Sequence, residues 1–197
     1  MSREKGLFVT LYGINNLGKT TQRELLIKRL SAEGYPCLGY KYVRYDISPS
    51  GPMLNSYLRN GNPHNLSPRE FQTIQAFNKA QVGPILSSYL ARGDVVVVED
   101  YTWTSIAWGV GAGVDEAYLR ELNSNFVKED VAILLDGERF VSGLEHGHAH
   151  EGNNTLTARV REIHLGLAQE LGWHIAQANR TKEEVHEEIW TIVKGKL

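Results

Sequence analysis

Residues 13–20 read Gly13-Ile14-Asn15-Asn16-Leu17-Gly18-Lys19-Thr20. The run fits the pattern G-x-x-x-x-G-K-[ST], and its flanks supply the context this pattern needs. Leu7 to Tyr12 reads as a buried strand, and Thr20 to Ala32 reads as a helix with Leu26 and Leu30 one turn apart. Between a strand and a helix, the glycines let the backbone wrap closely around a phosphate. The N–H groups of Gly13, Asn15, Asn16, Leu17 and Gly18 then join the helix N-terminus in facing the negative charge. Lys19 reaches the outer phosphates, Thr20 offers a hydroxyl to Mg2+, and Thr21 offers another at the helix start. The predicted ligand is ATP with Mg2+. The competing reading, a glycine-bearing turn with a chance lysine, does not explain the pattern and both flanks together.

Outward from this loop, strand-like runs alternate with helical ones. Cys37 to Val43 is a strand candidate, and Ser67-Pro68 opens a long helix to about Leu90. Gly93-Asp94 turns the chain into Val95-Val96-Val97-Val98, which suits a strand buried on both faces. Val131 to Leu135 and Trp173 to Ala176 read as further strands. Leu156, Val160, Ile163, Leu167 and Leu171 recur at helical spacing, and Val185, Ile189, Ile192 and Val193 mark a closing helix. Asn60 to Pro63 and Gly152 to Asn154 read as loops. The expectation is an α/β fold of the three-layer P-loop kind. A parallel sheet of about five strands is flanked by helices on both faces, in a single domain over residues 1–197.

Composition narrows the function classes. A net charge of −2 over 197 residues argues against a broad nucleic-acid surface, while a small phosphorylated ligand needs only a local basic pocket. Cys37 is the single cysteine, which rules out a disulfide framework or a four-cysteine zinc site and fits a reducing, cytoplasmic setting. The apolar stretch that ends at Gly13 is too short for a signal sequence or a membrane span.

Glu99 and Asp100 follow the valine run. They therefore fall at the carboxyl edge of the sheet, where ligands of open parallel sheets bind. A carboxylate there can hold Mg2+ or orient an acceptor; the bland alternative is a solvated acidic turn. Strand alternation predicts that the two side chains point to opposite sides.

Several stretches resemble the thymidylate kinases, a family of P-loop nucleoside monophosphate kinases, and the likeness runs nearly from end to end. Phe8 to Gln22 resembles the family opening. Glu99-Asp100-Tyr101, followed by Thr104-Ser105 and Ala107-Trp108, is similar to its Asp-Arg-Tyr segment and the Ser-x-x-Ala-aromatic beyond it. Phe77-Asn78-Lys79 falls where relatives carry a small residue and then Asn-Arg, and Ala176 to Trp190 resembles the last loop and helix. The resemblance implies phosphoryl transfer from ATP to a deoxynucleoside monophosphate, usually dTMP to dTDP. It places Glu99 at the metal-linked Asp position, Trp108 over the acceptor base, and Tyr101 beside it. The alternative for Trp108 is a core tryptophan.

Departures from the family concentrate on the acceptor side. The family's Arg after the strand-end Asp is Asp100 here, and Asn-Arg has become Asn78-Lys79, which loses the guanidinium fork. Phe-Pro-x-Arg has become Tyr42-Val43-Arg44-Tyr45, so Arg44, shifted by one place, is a candidate for the acceptor phosphate, with Arg59 as another. The expectation is that Asp100 turns aside toward a cation supplied by Arg44, Arg59 or Lys79.

The resemblance also makes residues 139–154 a mobile lid over the triphosphate, with Arg139 its one arginine and His146, His148 and His150 within it. Those histidines read as a solvated loop, as replacement donors, or as a transition-metal site. Asn179 and Arg180 fall in the loop that faces adenine in relatives, and relatives are commonly homodimers. Two other functions compete with dTMP phosphorylation: a kinase of another deoxynucleotide or deoxynucleoside, and a non-catalytic ATP-binding or nucleotide-binding module.

Overall fold

The computed structural model describes residues 5–140 and 153–197. In chain order the elements are β1 Leu7–Tyr12, α1 Lys19–Ala32, β2 Cys37–Lys41, α2 Ser50–Arg59, α3 Pro68–Ala91 and β3 Val95–Glu99. They continue with α4 Thr102–Gly111, α5 Glu116–Asn123, β4 Val131–Asp136, α6 Asn154–Leu171, β5 His174–Gln177 and α7 Lys182–Lys194. The strands form one five-stranded sheet, all parallel, in the order β2-β3-β1-β4-β5. The expected α/β architecture is present. The second strand stops at Lys41, short of Val43, and the last begins at His174.

A period of two assigns the strands to their layers. Leu7, Val9 and Leu11 of β1 pack with Val95 and Val97 of β3 into one core, closed by Leu26 and Leu30 of α1 and by Val185 and Ile189 of α7. Phe8 and Tyr12 pack with Val96 and Val98 into the other core, closed by Val82 and Leu86 of α3. The valine run is therefore buried on both faces, as a parallel strand under two helical layers requires. Each fully buried side chain of this size contributes about 1.5–3 kcal/mol.

Helix α3 starts where Ser67-Pro68 predicts. Ser67 N–H donates to Glu70 Oε2 at 2.8 Å, Glu70 N–H donates back to Ser67 Oγ at 3.3 Å, and Pro68 occupies the first turn. This cap sets the register of α3, whose middle turns carry Gln75, Asn78 and Lys79 to the edge of the sheet. β1 lies at the centre, with β3 on one side and β4 on the other, so the strand order reverses at the carboxyl ends of β1 and β3. Residues 13–18 leave β1 and Asp100-Tyr101 leave β3 at that crevice.

Candidate active site

The loop after β1 has a backbone that only glycine accommodates at its two ends. Gly13 has φ +133°, and a Cβ there would lie 2.5 Å from Leu135 O of β4. Gly18 has φ +79° and forms the N-cap of α1, so the first helical N–H groups open onto the loop. Lys19 is buried. Its Nζ donates to Gly13 O and Ile14 O, both at 2.8 Å, and lies 3.5 Å from Asp100 Oδ1. Burial pushes this ammonium below its ordinary pKa, and the Asp100 carboxylate works against that shift.

Glu99 ends β3 fully buried, and the Thr20 hydroxyl donates to both of its oxygens, at 3.0 and 2.9 Å. Arg23 Nη1 donates to Glu99 Oε1 at 3.1 Å, and Lys41 Nζ stands 3.9 Å from the same oxygen. A carboxylate and a hydroxyl that converge at the mouth of a helix N-terminus are hard oxygen ligands of the kind Mg2+ takes. The donor set therefore fits that ion.

Asp100 departs from the expected geometry. Its φ is +59°, a left-handed backbone, with its N–H held by Leu11 O at 3.1 Å. This twist breaks strand alternation, so Glu99 and Asp100 line the same cleft instead of opposite sides. Its cation is Lys19, not Arg44, Arg59 or Lys79, and the Thr104 hydroxyl donates to the same oxygen, Oδ1, at 3.2 Å.

The cleft lies between the phosphate loop and helices α2, α3 and α4 and encloses about 240 Å3. Asn15, Asn16, Gly18, Lys19 and Thr20 line one end; Tyr45, Arg59, Asn78, Lys79, Tyr101 and Trp108 line the other. Lys79 is buried, and its Nζ donates to Ser105 Oγ at 2.6 Å, which donates in turn to Gln75 Oε1 at 2.5 Å. Burial lowers its pKa to about 7. Asn78 holds the neighbouring loop, taking Arg44 N–H at 3.0 Å and donating to Arg44 O and Ser50 Oγ. The Arg59 guanidinium lies 4.5 Å from the Tyr45 ring centre. Trp108 is buried in the core and is also among the residues lining the cleft.

Arg44 goes elsewhere. Its guanidinium is bound twice by Asp46, at 2.9 and 2.6 Å, and it is not among the residues lining the cleft. On the donor side, Asn179 is engaged with the backbone: its Oδ1 accepts Glu138 N–H at 2.6 Å and its Nδ2 donates to Glu138 O at 2.9 Å. Arg180 is exposed and paired with Glu188. Arg139 Nη1 donates to Asn154 Oδ1 at 3.5 Å. Residues 141–152, His146, His148 and His150 among them, lie outside the described residues. Among the described residues, no group of three or more His, Cys, Asp or Glu converges as a metal site.

The family model for thymidylate kinases matches residues 11–189, from the end of β1 into α7. The chain belongs to the thymidylate kinase family. It is therefore a member of a family of ATP-dependent phosphotransferases. A thymidylate kinase of Halothermothrix orenii is 30% identical over 211 residues, covering 98% of this chain and 99% of that one. One from Synechococcus sp. (strain JA-3-3Ab) is 34% identical over 210 residues, covering 97% of each. The solved thymidylate kinase of Candida albicans shares the fold, with a TM-score of 0.81 at 18% identity over 98% of this chain and 92% of that one. In this member of the thymidylate kinase family the carboxylate of Asp100 reaches the phosphate-loop lysine.

Lys41, Gln75 and Ser105 line the cleft of this thymidylate kinase family member and Arg23 braces Glu99, although the sequence reading assigned none of them to the site. Two of them carried a usable signal. Lys41 is the register partner of Glu99 on the adjacent strand, and Arg23 sits one helical turn beyond Thr20. No helix among the described residues is long and apolar enough to cross a membrane.

Proposed function

We propose that this protein transfers the γ-phosphoryl group of ATP to dTMP, yielding dTDP and ADP. The observation that carries this reading is the pairing of Thr20 with Glu99 at the N-terminus of α1, at one end of a cleft whose other end holds Trp108, Gln75 and Lys79. Thr20 and Glu99 would hold Mg2+, which when bound neutralises charge on the outer phosphate oxygens. Lys19 exchanges the Gly13 and Ile14 carbonyls for the phosphate oxygens. Trp108 offers a face or edge to the pyrimidine, while the Lys79–Ser105–Gln75 chain supplies hydrogen bonds at its rim. Lys19, Lys41, Arg59 and Lys79 line the cleft against the two carboxylates of Glu99 and Asp100, a balance that favours an anionic acceptor.

One observation favours a second reading. The Asp100 carboxylate stands in the cleft near the transfer line, where it suits an acceptor that presents a hydroxyl, such as a deoxynucleoside, better than one that presents a phosphate. The finer parts of the proposal are a single domain with residues 139–154 as lid, a cytoplasmic location and a homodimer. Exposed Phe77 and Ile85 on α3 support the dimer. The test is ADP release, with Mg2+ present, across a panel of deoxynucleosides and their monophosphates. dTMP is expected to give the highest kcat/KM. Faster turnover of thymidine than of dTMP selects the second reading, and no turnover with any acceptor makes the chain a binding module.

A further inference from the structure

Behind α4 lies a second cavity, of about 530 Å3, that shares no lining residue with the catalytic cleft. The helix separates the two by its period: Thr104, Ser105 and Trp108 line the cleft, whereas Thr102, Trp103 and Ile106 line the second cavity. The first residues of β4 and the turn into β5 form its other walls. Its size is that of an ordinary small-molecule site.

The walls define the chemistry of an occupant. Trp103, Phe126 and Trp173 give aromatic surface. Trp173 is fixed by stacking on Tyr12, with ring centres 4.5 Å apart, and Trp103 meets its edge at 6.3 Å. Asn123 lines the cavity at 7% exposure; its Nδ2 donates to Leu119 O at 2.8 Å. Its buried Oδ1 has no hydrogen-bond partner among the described residues. That oxygen is closed to solvent as the side chain stands, so a ligand N–H meets it once the amide turns toward the cavity, a turn favoured because a buried acceptor is costly to leave unmatched.

The charges at this cavity favour an anion. The Glu129 carboxylate accepts the Tyr12 hydroxyl at 2.9 Å, and Asp130 accepts Phe8 N–H and Lys5. Arg120 is held by Glu116 and Glu170. Lys128 and Lys196 also line the cavity, and as exposed cations they complement a negative group at its rim.

We propose that this cavity is a second ligand site, for a planar aromatic or heteroaromatic molecule that carries an N–H donor and an anionic group. A suitable probe is 1-anilinonaphthalene-8-sulfonate, which has an aromatic ring system, an N–H and a sulfonate, and which fluoresces on burial. The full chain is titrated with the probe while ADP, Mg2+ and dTMP fill the catalytic cleft. Saturable binding of one equivalent is expected. Asn123→Leu and Lys196→Glu should each weaken it about tenfold, with dTMP turnover within about twofold of wild type. Because Lys196 is exposed, its variant remains informative if Asn123→Leu fails to fold. Absence of saturable binding with the cleft filled, or wild-type affinity in both variants, overturns the proposal.

Discussion

The Lys19 ammonium lies 3.5 Å from the Asp100 carboxylate, on the wall of the cleft where phosphoryl transfer would occur. The pair exists because Asp100 adopts a left-handed backbone that turns its side chain toward the phosphate loop. Phosphate oxygens and Asp100 therefore compete for one cation. Both partners are nearly closed to solvent, so desolvation offsets much of their attraction, and the competition is expected to be worth about 1 kcal/mol, or about fivefold in a binding constant. Asp100→Asn is expected to lower the ATP KM by about that factor, with the dTMP KM nearly unchanged. Steady-state kinetics with each substrate varied in turn checks this. A shift confined to dTMP would place Asp100 on the acceptor instead.

Glu99 is expected to be indispensable through its charge. Glu99→Gln keeps the shape but loses an anion that Thr20, Arg23 and Lys41 surround. Turnover should fall by about 100-fold, and half-maximal activity should need more Mg2+. A Mg2+ titration of rate is the measurement, and an unchanged Mg2+ dependence counts against the assignment. Replacing His146, His148 and His150 together should leave the Mg2+ requirement as it is.

Much of this site was legible in the sequence because it is local. The phosphate loop is a contiguous run whose strand and helix are its neighbours, so Lys19 and Thr20 could be placed without any tertiary information. Glu99 followed from the valine run, since a strand buried on both faces must deliver its next residue to the carboxyl edge. Asp100 was misplaced because alternation holds only while the backbone stays extended, and its φ of +59° ends that regime. Arg44 was misplaced because its partner, Asp46, is two residues away and wins by proximity. Helix α4 was not recognised as a helix since Thr102–Gly111 is apolar on most sides and shows no clear period.

Lys79 should give stability a characteristic pH dependence. Burial lowers its pKa from the ordinary 10.5 to about 7, so between those values the unfolded chain binds a proton that the folded chain does not. Stability from this group therefore rises as pH climbs from about 7, and is least below it, where a charged ammonium must be buried. Lys79→Met lacks the effect. Urea midpoints measured from pH 6 to 9 should show the wild type gaining on the variant as pH rises; parallel profiles contradict the burial argument.

Gly13→Ala should fail for steric reasons. The added Cβ would approach Leu135 O to 2.5 Å at a φ of +133°. The strain is expected to cost about 1–3 kcal/mol and to displace the loop from its phosphate-binding shape. Denaturant unfolding together with ATP titration checks both effects, and an alanine variant with wild-type stability and ATP affinity would show that the loop relaxes freely.

The central claim is that the γ-phosphoryl group of ATP passes to dTMP in this cleft, with Lys19 in contact with the moving charge. The direct measurement is transfer of label from γ-32P-ATP, with dTMP and Mg2+ present, resolved by chromatography of the nucleotides. The account predicts label in dTDP for the wild type, and a rate lower by at least about 100-fold for a folded Lys19→Ala variant. Label appearing only as inorganic phosphate, or dTDP formed at the wild-type rate by Lys19→Ala, would contradict it.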